Sequence, residues 1–432
     1  MIYQDAITYM EAVKQRGIKP GLHRLNNLLD KLGNPQNRLK FVHVAGTNGK
    51  GSVCEFLSTI LKTSGYRVGT YTSPALESEL ERYRVNGEWI KQSQYAECIA
   101  RIRQALQTTA DEEQPTLFEI ETALAFLYFE EQCCDLVVLE TGMGGLSDAT
   151  NVVTTTILCV LTSISKDHCS MLGNTIDEIT ENKAGIIKDK VPVVTLNKNL
   201  KQSPVIEQVC QNKHSRLIAV NEAELICEQE FDLETQVFSY GIFQNVRIRQ
   251  GGRYQQSNAA LAIEAVKVLC EIGFDISLQE IYDGLYHTYW PYRMECICRS
   301  PVIILDGAHN PDAANRLKET LQKTLGNYEL LFVMGIFADK DYEEICKITC
   351  DMPKRIIITK TPDHMRALET SLLKQTVEKY NQSVQVCETL SEAADCSISL
   401  ARENYKNTAV IAFGSLSYLA EFKQAVMELL NR

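Results

Sequence analysis

Short hydrophobic runs alternate with helical patterns along the chain from residue 39 onward. The runs that predict buried strands span residues 39–45, 66–72, 135–140, 155–164 and 191–197. A helix is predicted over 50–64, and the apolar residues that share its inner face are Val53, Phe56, Leu57, Ile60 and Leu61. A further helix is predicted over 118–131. Strands that alternate with helices indicate an α/β domain with a mostly parallel sheet covered on both faces.

A second series of strand-like runs begins near Pro301. Its members are residues 301–306, 329–335, 355–360, 384–389 and 408–414. Each is followed by a helical pattern, which predicts a smaller Rossmann-like α/β unit of about 130 residues with its own core. A Trp-Pro pair breaks the pattern at 290–297, so we expect two domains, 1–295 and 296–432. Residues 200–250 have weak periodicity and yield no firm prediction.

Charge and cysteine content narrow the functional class. The 432 residues include 44 basic and 55 acidic side chains, a net charge of −11, which argues against a nucleic-acid surface but leaves room for a local nucleotide pocket. The 15 cysteines form no C-x-x-C pair and lack the spacing of a zinc site or a disulfide framework. With no secretory signal and no apolar run near 20 residues, we expect a cytoplasmic protein without a membrane partner.

The segment HVAGTNGKGSV, residues 43–53, joins a predicted strand to a helix through a glycine-rich turn. Backbone N–H groups at such a helix N-terminus can surround a phosphate, and Lys50 adds a positive charge. The strict P-loop pattern is not met, because Val44 stands at its first glycine and Gly51 at its Ser/Thr. The alternative is a glycine-rich turn with only a structural role.

Glu140 ends the buried run 135–140 and precedes the turn TGMGGLSDATN. Nucleotide enzymes place a magnesium-facing carboxylate at such a strand end, although a carboxylate that caps the next element fits equally well. The turn is not a dinucleotide fingerprint, because Ser147 stands where the third glycine would be.

Other polar residues also follow predicted strands, at the edge where parallel sheets bind ligands. His168 is one, although a single histidine here is more often a hydrogen-bonded turn residue. Lys183 lies in an apolar context, for which a packed stem with a solvent-reaching ammonium is the ordinary explanation. Asp306 and His309 follow a strand of the second series, and Arg293 between the series could contact a phosphate.

Ten motifs in order along the chain resemble the folylpolyglutamate synthase/dihydrofolate synthase group of the Mur ligase superfamily. They are HVAGTNGKGSV, YTSPAL with ERYRVNG, PTLFEIETALAF, LETGMGGLSDATN, SISKDH with LGNTIDEIT, NKAGIIK, YQQSNAA, WPYR, DGAHNP and FADKD. The resemblance implies a P-loop-containing Mur-ligase-type domain over 1–295 and a glutamate-ligase domain over 296–432. It also implies ATP-dependent amide bond formation: a substrate carboxylate takes the γ-phosphoryl group of ATP, and the amine of L-glutamate then displaces phosphate.

The resemblance also assigns roles to residues. The implied ATP contacts are Thr47, Asn48, Gly49, Lys50, Gly51, Ser52, Asn258, Arg293 and Asp306. The implied Mg²⁺ ligands are Ser73, Glu140 and His168. The implied catalytic residues are Lys50, Lys183 (as an N6-carboxylysine) and His309. The implied contacts to the pterin substrate are Thr116, Leu117, Phe118, Glu119, Ser147, Asp148 and Ala149.

Three departures from the family pattern affect substrate detail. Ala75 stands where the family usually has histidine, Leu146 and Ser147 replace an Arg-Leu pair, and Tyr254 occupies a position often held by histidine. The first two lie near the expected folate pocket. We therefore expect ATP chemistry of the family type, with a reduced folate, dihydropteroate or both as acceptor, and a monomer by analogy.

The alternatives are weaker. A related Mur-type amide ligase could use a different carboxylate acceptor. A cell-wall Mur ligase would need a domain of about 100 residues ahead of the phosphate loop, which here begins at Gly46. A nucleotide-hydrolysing switch would not need the TSP, NKAGIIK and DGAHNP motifs together. A catalytically inactive binding protein would not need to retain Lys50, Ser73, Glu140, His168 and Lys183.

Overall fold

The computed structural model describes residues 1–17, 19, 21–363, 365–403 and 408–431. The chain divides into two compact units, the first comprising Met1–Leu225 and Ser257–Thr288 and the second Ile226–Gln256 and Tyr289–Arg432. The sequence-based division at 295/296 did not anticipate that residues 226–256 pack with the second unit.

The first unit is built on one large sheet. Its strands are β1 Phe41–Ala45, β2 Val68–Tyr71, β3 Tyr83–Val85, β4 Glu88–Trp89, β5 Leu136–Glu140, β6 Thr156–Leu161, β7 Val193–Leu196 and β8 Leu217–Val220. Their order in the sheet is β4-β3-β2-β5-β1-β6-β7-β8. Neighbours from β2 to β8 pair in parallel, whereas β3 and β4 form an antiparallel edge. The predicted mostly parallel sheet is therefore confirmed.

Helices cover both faces of this sheet. They are α1 Tyr3–Lys14, α2 His23–Lys31, α3 Lys50–Thr63, α4 Gln92–Ala105, α5 Leu117–Glu131, α6 Cys169–Leu172, α7 Ile176–Ala184, α8 Asn197–Gln202, α9 Val205–Asn212, α10 Arg253–Glu271 and α11 Leu278–His287. The five apolar residues predicted to share a face of α3 are all fully buried. Helix α11 packs closely on α3 because Gly284 has no side chain: a Cβ there would lie 2.5 Å from the Cα of Ile60.

The second unit contains two sheets. Its strands are β9 Leu225–Gln229, β10 Gln236–Tyr240, β11 Phe243–Ile248, β12 Glu295–Arg299, β13 Val302–Leu305, β14 Glu329–Met334, β15 Arg355–Ile358, β16 Val384–Val386 and β17 Thr408–Phe413. Strands β9 to β11 form a small sheet in the region without a firm prediction. The larger sheet has the order β12-β13-β17-β14-β15-β16.

The five predicted strands of the second series all form, and they pair in parallel. The structure corrects the count, because β12 adds a sixth, antiparallel strand at the edge beside β13. The helices of this unit are α12 Pro311–Thr324, α13 Tyr342–Thr349, α14 Thr370–Val377, α15 Leu390–Glu403 and α16 Leu419–Leu430. In the described ranges of the chain, no helix is long and apolar enough to cross a membrane.

Candidate active site

The glycine-rich turn after β1 is attached to the end of β6 by hydrogen bonds. The Thr47 N–H donates to the Ser163 carbonyl at 2.7 Å, and the hydroxyls of Thr162 and Ser163 donate to the Asn48 carbonyl at 2.8 and 3.1 Å. Asn48 and Ser163 also form an antiparallel bridge. The turn is therefore a short continuation of the sheet, held in shape by hydrogen bonds to the end of β6.

Two glycines of this turn cannot carry a side chain. Gly46 has φ 153°, and a Cβ there would overlap the Thr162 hydroxyl; Gly49 has φ 91°, and its Cβ would lie 2.5 Å from Asn258 Oδ1. Gly49 is the N-cap of α3. The structure thus brings Asn258, on α10, to the predicted phosphate-binding end of α3.

Two lysines meet at the carbonyl of Gly46. Lys50 Nζ donates to it at 3.3 Å and to the Thr47 carbonyl at 3.3 Å, while Lys183 Nζ donates to it at 2.8 Å. Lys183 is only 3% exposed. The expectation that its stem packs while its ammonium reaches solvent is therefore wrong. Burial, reinforced by the charge of Lys50, lowers the pKa of Lys183 to about 7. Near neutral pH its amine is therefore partly unprotonated.

Among the predicted metal ligands, the structure brings Ser73 and Glu140 together. Glu140 ends β5 in a buried position, and its Oε2 accepts a hydrogen bond from the Ser73 N–H at 3.2 Å. A buried ion pair between Arg84 and Glu55 at 2.6 Å supports this region, because Arg84 also donates to the Thr72 hydroxyl at 3.4 Å.

His168 is exposed, with φ 51°, at the start of α6. Its backbone N–H donates to Asp167 Oδ1 at 2.9 Å. No group of three or more His, Cys, Asp or Glu side chains is arranged to hold a metal ion within the part of the chain that the structure describes.

The turn after β5 packs against the end of α7. Asn182 Oδ1 accepts from the Gly145 N–H at 3.1 Å, and the Asn182 carbonyl accepts from the Leu146 N–H at 2.7 Å. A Cβ on Gly145 would lie 2.7 Å from the Lys183 carbonyl. The turn after β5 and the end of α7, which are separate in sequence, thus pack directly against each other. Gly145 has no side chain and so allows α7 to approach the turn closely.

A chain of buried polar groups lies behind this turn. The Thr150 hydroxyl donates its only proton to Asp148 Oδ1 at 2.6 Å. Thr150 Oγ1 must therefore accept its other hydrogen bond, which the His43 Nε2–H donates at 2.8 Å. The backbone N–H of Met143 donates to Asp148 Oδ2 at 2.8 Å. Burial lowers the pKa of His43 to about 3, which keeps the ring neutral, and burial raises the pKa of Asp148. We call His43, Thr150 and Asp148 the polar chain; sequence analysis found only Asp148, although a histidine within a buried strand was a usable signal.

The predicted pterin segment at the start of α5 is partly structural. Thr116 and Glu119 form a capping box, with the Thr116 N–H donating to Glu119 Oε2 at 2.7 Å. Glu119 also pairs with Arg24 at 3.1 Å, and both side chains are buried. Leu117 and Phe118 are half-buried, and the Phe118 ring lies against Gly142. These two side chains are better placed than Thr116 and Glu119 to contact a substrate.

Ser147 is exposed, and Ala149 is buried. Leu146, one of the departures from the family pattern, is 57% exposed. An apolar side chain therefore stands at the surface of the turn where the family usually has arginine.

In the second unit, Asp306 is buried just after β13. Its carboxylate accepts from the Met294 N–H at 3.0 Å, the Ala308 N–H at 2.9 Å and the Tyr254 hydroxyl at 3.3 Å. Burial raises the pKa of Asp306, against the charge of Arg293. Tyr254, one of the departures from the family pattern, is therefore a hydrogen-bond donor to this carboxylate.

Arg293 and His309 lie beside the same loop. A Cβ on Gly307 would collide with Nη1 of Arg293. His309 Nδ1 is 2.8 Å from the Gly307 carbonyl, so Nδ1 carries the proton and Nε2 the lone pair of the neutral ring. The structure thus brings Arg293, Asp306 and His309 together within the second unit.

Comparison with known proteins matches two successive parts of the chain to protein families. Residues 44–266 match the Mur ligase middle domain, and residues 292–416 match the Mur ligase glutamate ligase domain.

Similar proteins cover nearly the whole chain. The dihydrofolate synthase/folylpolyglutamate synthase of Bacillus subtilis is 34% identical over 434 residues, which cover 98% of each chain. The folylpolyglutamate synthase of Mycobacterium tuberculosis, solved with ADP and AMPPCP, has a TM-score of 0.88 at 26% identity and covers 100% of this chain and 99% of its own. Escherichia coli FolC, solved with DHPP and ADP, has a TM-score of 0.86 at 27% identity, with 100% and 98% covered.

Proposed function

The chain belongs to the folylpolyglutamate synthase and dihydrofolate synthase family of Mur ligases, and we infer that it is an ATP-dependent ligase that joins glutamate to folates through an amide bond. The observation that carries the chemistry is the meeting of Lys50 and Lys183 at the Gly46 carbonyl, beside the N-terminus of α3. The Lys50 cation and the backbone N–H groups at this helix N-terminus are what a transferring phosphoryl group requires. Lys183 lies beside them, and we assign it a separate role.

The reaction begins with two anions that must approach each other, the acceptor carboxylate and the γ-phosphate of ATP. We assign the phosphate contacts to residues 47–52, with Asn258 beside Gly49. Lys50 now donates to two carbonyls of its own turn, and we propose that it exchanges these for phosphate oxygens. The acceptor oxygen then bonds to phosphorus as ADP leaves, and the glutamate nitrogen displaces phosphate from the acyl carbon.

The residues at the ends of β2 and β5 fit Mg²⁺. A hydroxyl and a buried carboxylate are hard oxygen donors, and the 3.2 Å bond between the Ser73 N–H and Glu140 supports their acting together. We propose Ser73, Glu140 and His168 as the residues that would hold Mg²⁺, which commonly uses one or two carboxylates together with substrate phosphates. When bound, the ion neutralises phosphate charge.

Lys183 fits the predicted N6-carboxylysine. Only an unprotonated amine combines with CO₂, and the pKa of about 7 supplies that form near neutral pH. A carboxylated Lys183 would add an anion close to Lys50. We propose that burial of Lys183 serves this modification.

In the second unit we assign Arg293 and Asp306 to the nucleotide and His309 to catalysis in the same site. The neighbouring positions of these side chains around Gly307 support a shared role. Nε2 of His309 is the nitrogen of its neutral ring that can accept a proton.

For the acceptor, we propose a reduced folate, dihydropteroate or both, bound by the turn 146–149 and by Leu117 and Phe118. The exposed Leu146 supports a pocket whose polar contacts differ from the usual family pattern. We also propose a monomer in the cytoplasm, where the 15 cysteines, all unpaired in the structure, would stay reduced.

The test is to incubate the protein with ATP, Mg²⁺, L-glutamate and either tetrahydrofolate or dihydropteroate, and to measure the products by mass spectrometry. We expect at least one glutamate to be added to at least one acceptor, with one ADP formed for each glutamate added. Lys50→Met should abolish the product, whereas Lys201→Met, at an exposed lysine of the same unit, should not. No addition to either acceptor would refute the folate assignment.

A further inference from the structure

The backbone on both sides of Arg293 is in a conformation that non-glycine residues rarely adopt. Tyr292 has φ 59° and Met294 has φ 50°, and both side chains are buried. Left-handed backbone at a bulky residue is unfavourable and persists only where surrounding contacts impose it. Two such residues that flank one arginine indicate that the direction of this side chain matters.

The contacts that impose this turn come from two carboxylates. Glu295 Oε2 accepts from the Tyr292 N–H at 3.0 Å, and Asp306 accepts from the Met294 N–H at 3.0 Å. The Gly307 N–H donates to the Tyr292 carbonyl at 2.8 Å. These three hydrogen bonds tie the backbone of Tyr292 and Met294 to Glu295, Asp306 and Gly307.

Glu295 is itself held from a distant helix. Lys423, on α16, donates to Glu295 Oε1 at 2.6 Å, and its ammonium lies 5.3 Å from the centre of the Tyr292 ring. The Tyr289 hydroxyl donates to the same oxygen at 2.5 Å. The Glu295 side chain is nearly buried, which makes a charged partner necessary.

We propose that Glu295, with Lys423, is a positioning residue that holds the Tyr292–Met294 turn so that the Arg293 guanidinium is presented to the nucleotide. This inference rests on the proposed function, because it takes Arg293 to be a nucleotide contact. A purely structural role for the Glu295–Lys423 pair would stabilise the fold without a selective effect on the nucleotide.

The experiment measures KM for ATP, folate and glutamate, together with ADP binding by calorimetry, in the full-length protein. Glu295→Gln and Lys423→Met should each raise KM for ATP and weaken ADP binding about tenfold, the effect of losing one charge-assisted hydrogen bond. KM for folate and glutamate should stay within about twofold of the wild-type values. Lys423→Arg should restore ATP binding, and Lys354→Met, which breaks an exposed pair with Glu329, should have no effect.

Arg293→Met separates this inference from the proposed function. If Arg293→Met leaves KM for ATP unchanged, the assignment of Arg293 to the nucleotide fails and the inference fails with it. If Arg293→Met raises KM for ATP but neither Glu295→Gln nor Lys423→Met does, the inference alone is overturned. In the Arg293→Met background, Glu295→Gln should have no further effect on KM for ATP; a full additional effect would also overturn the inference. Lys423, which is partly exposed, keeps the test valid if Glu295→Gln does not fold.

Discussion

Replacement of Lys183 by methionine should stabilise the protein. Methionine fills a similar volume without a charge, so the variant removes the cost of burying an ammonium group. The pKa of Lys183 falls from 10.5 to about 7, which corresponds to about 5 kcal/mol of unfavourable free energy when both states are protonated. At about pH 7.5 roughly 4 kcal/mol of this burial cost remains, and Lys183→Met removes it. The variant also loses the hydrogen bond to the Gly46 carbonyl, which offsets about 1 kcal/mol of the gain. We expect Lys183→Met to be more stable by about 3 kcal/mol.

The pH dependence gives the sharper measurement. Between pH 7 and 10.5 the unfolded chain binds a proton at Lys183 that the folded chain does not. The stability of the wild type therefore rises with pH across this window, and the cost is fully present below pH 7. From about pH 7.5 to 9.5 the wild type should gain roughly 3 kcal/mol more than Lys183→Met does.

The assay is urea unfolding in CO₂-free buffer, followed by fluorescence at several pH values. Lys201→Met is the control, because it removes an exposed lysine of the same unit and should run parallel to the wild type. If wild type and Lys183→Met have parallel stability curves over this range, Lys183 is not a low-pKa amine. The rationale for its carboxylation would then fail as well.

Three further predictions concern the supports of the site. Arg24→Met leaves the Glu119 carboxylate buried without its cation and should lower the free energy of unfolding, measured by thermal denaturation, by about 3 to 5 kcal/mol. Adding Glu119→Gln to this variant should recover most of the lost stability. Equal loss in the single and the double variant would contradict this account. Thr150→Val breaks the polar chain and should raise KM for folate about tenfold in steady-state assays, whereas Thr150→Ser keeps the hydroxyl and should not raise it. Identical KM values for the two variants would show that the hydroxyl is unimportant. Gly49→Ala should abolish measurable ADP binding in calorimetry. Gly65 has a similar φ but open space where a Cβ would be added, so Gly65→Ala should only lower the free energy of unfolding, by about 1 to 2 kcal/mol. Normal ADP binding by Gly49→Ala would refute the packing argument.

The parallel strands were predictable because burial on both faces leaves a continuous apolar run. β1 is such a case, since every residue of Phe41–Ala45 is buried. β12 was missed for the opposite reason: Glu295–Arg299 is mixed in polarity, with four half-buried residues and an exposed Arg299. No local pattern encodes a left-handed Tyr292 or Met294. The packing of residues 226–256 with the second unit likewise depends on tertiary contacts, such as those of Phe231 with its core.

The candidate site divides in the same way. Motif letters located Lys50 and Lys183, but their meeting at one carbonyl joins residues far apart in sequence. Glu119 was predicted as a substrate contact, yet its side chain is engaged by Arg24, 95 residues away. A motif indicates which residues the family retains. Only the fold shows which of those residues, like Glu119, contact another residue of the chain rather than a substrate.

The attachment of the phosphate-binding turn to the end of β6 has a consequence for protein engineering. Residues 46–49 are not a portable module, because Thr47 and Asn48 take their shape from Thr162 and Ser163. Grafting the turn onto another α/β scaffold would require the segment 162–165 as well, in register with it. For the same reason, a designer who wished to alter nucleotide preference would do better to vary both segments together than to randomise the glycine-rich turn alone.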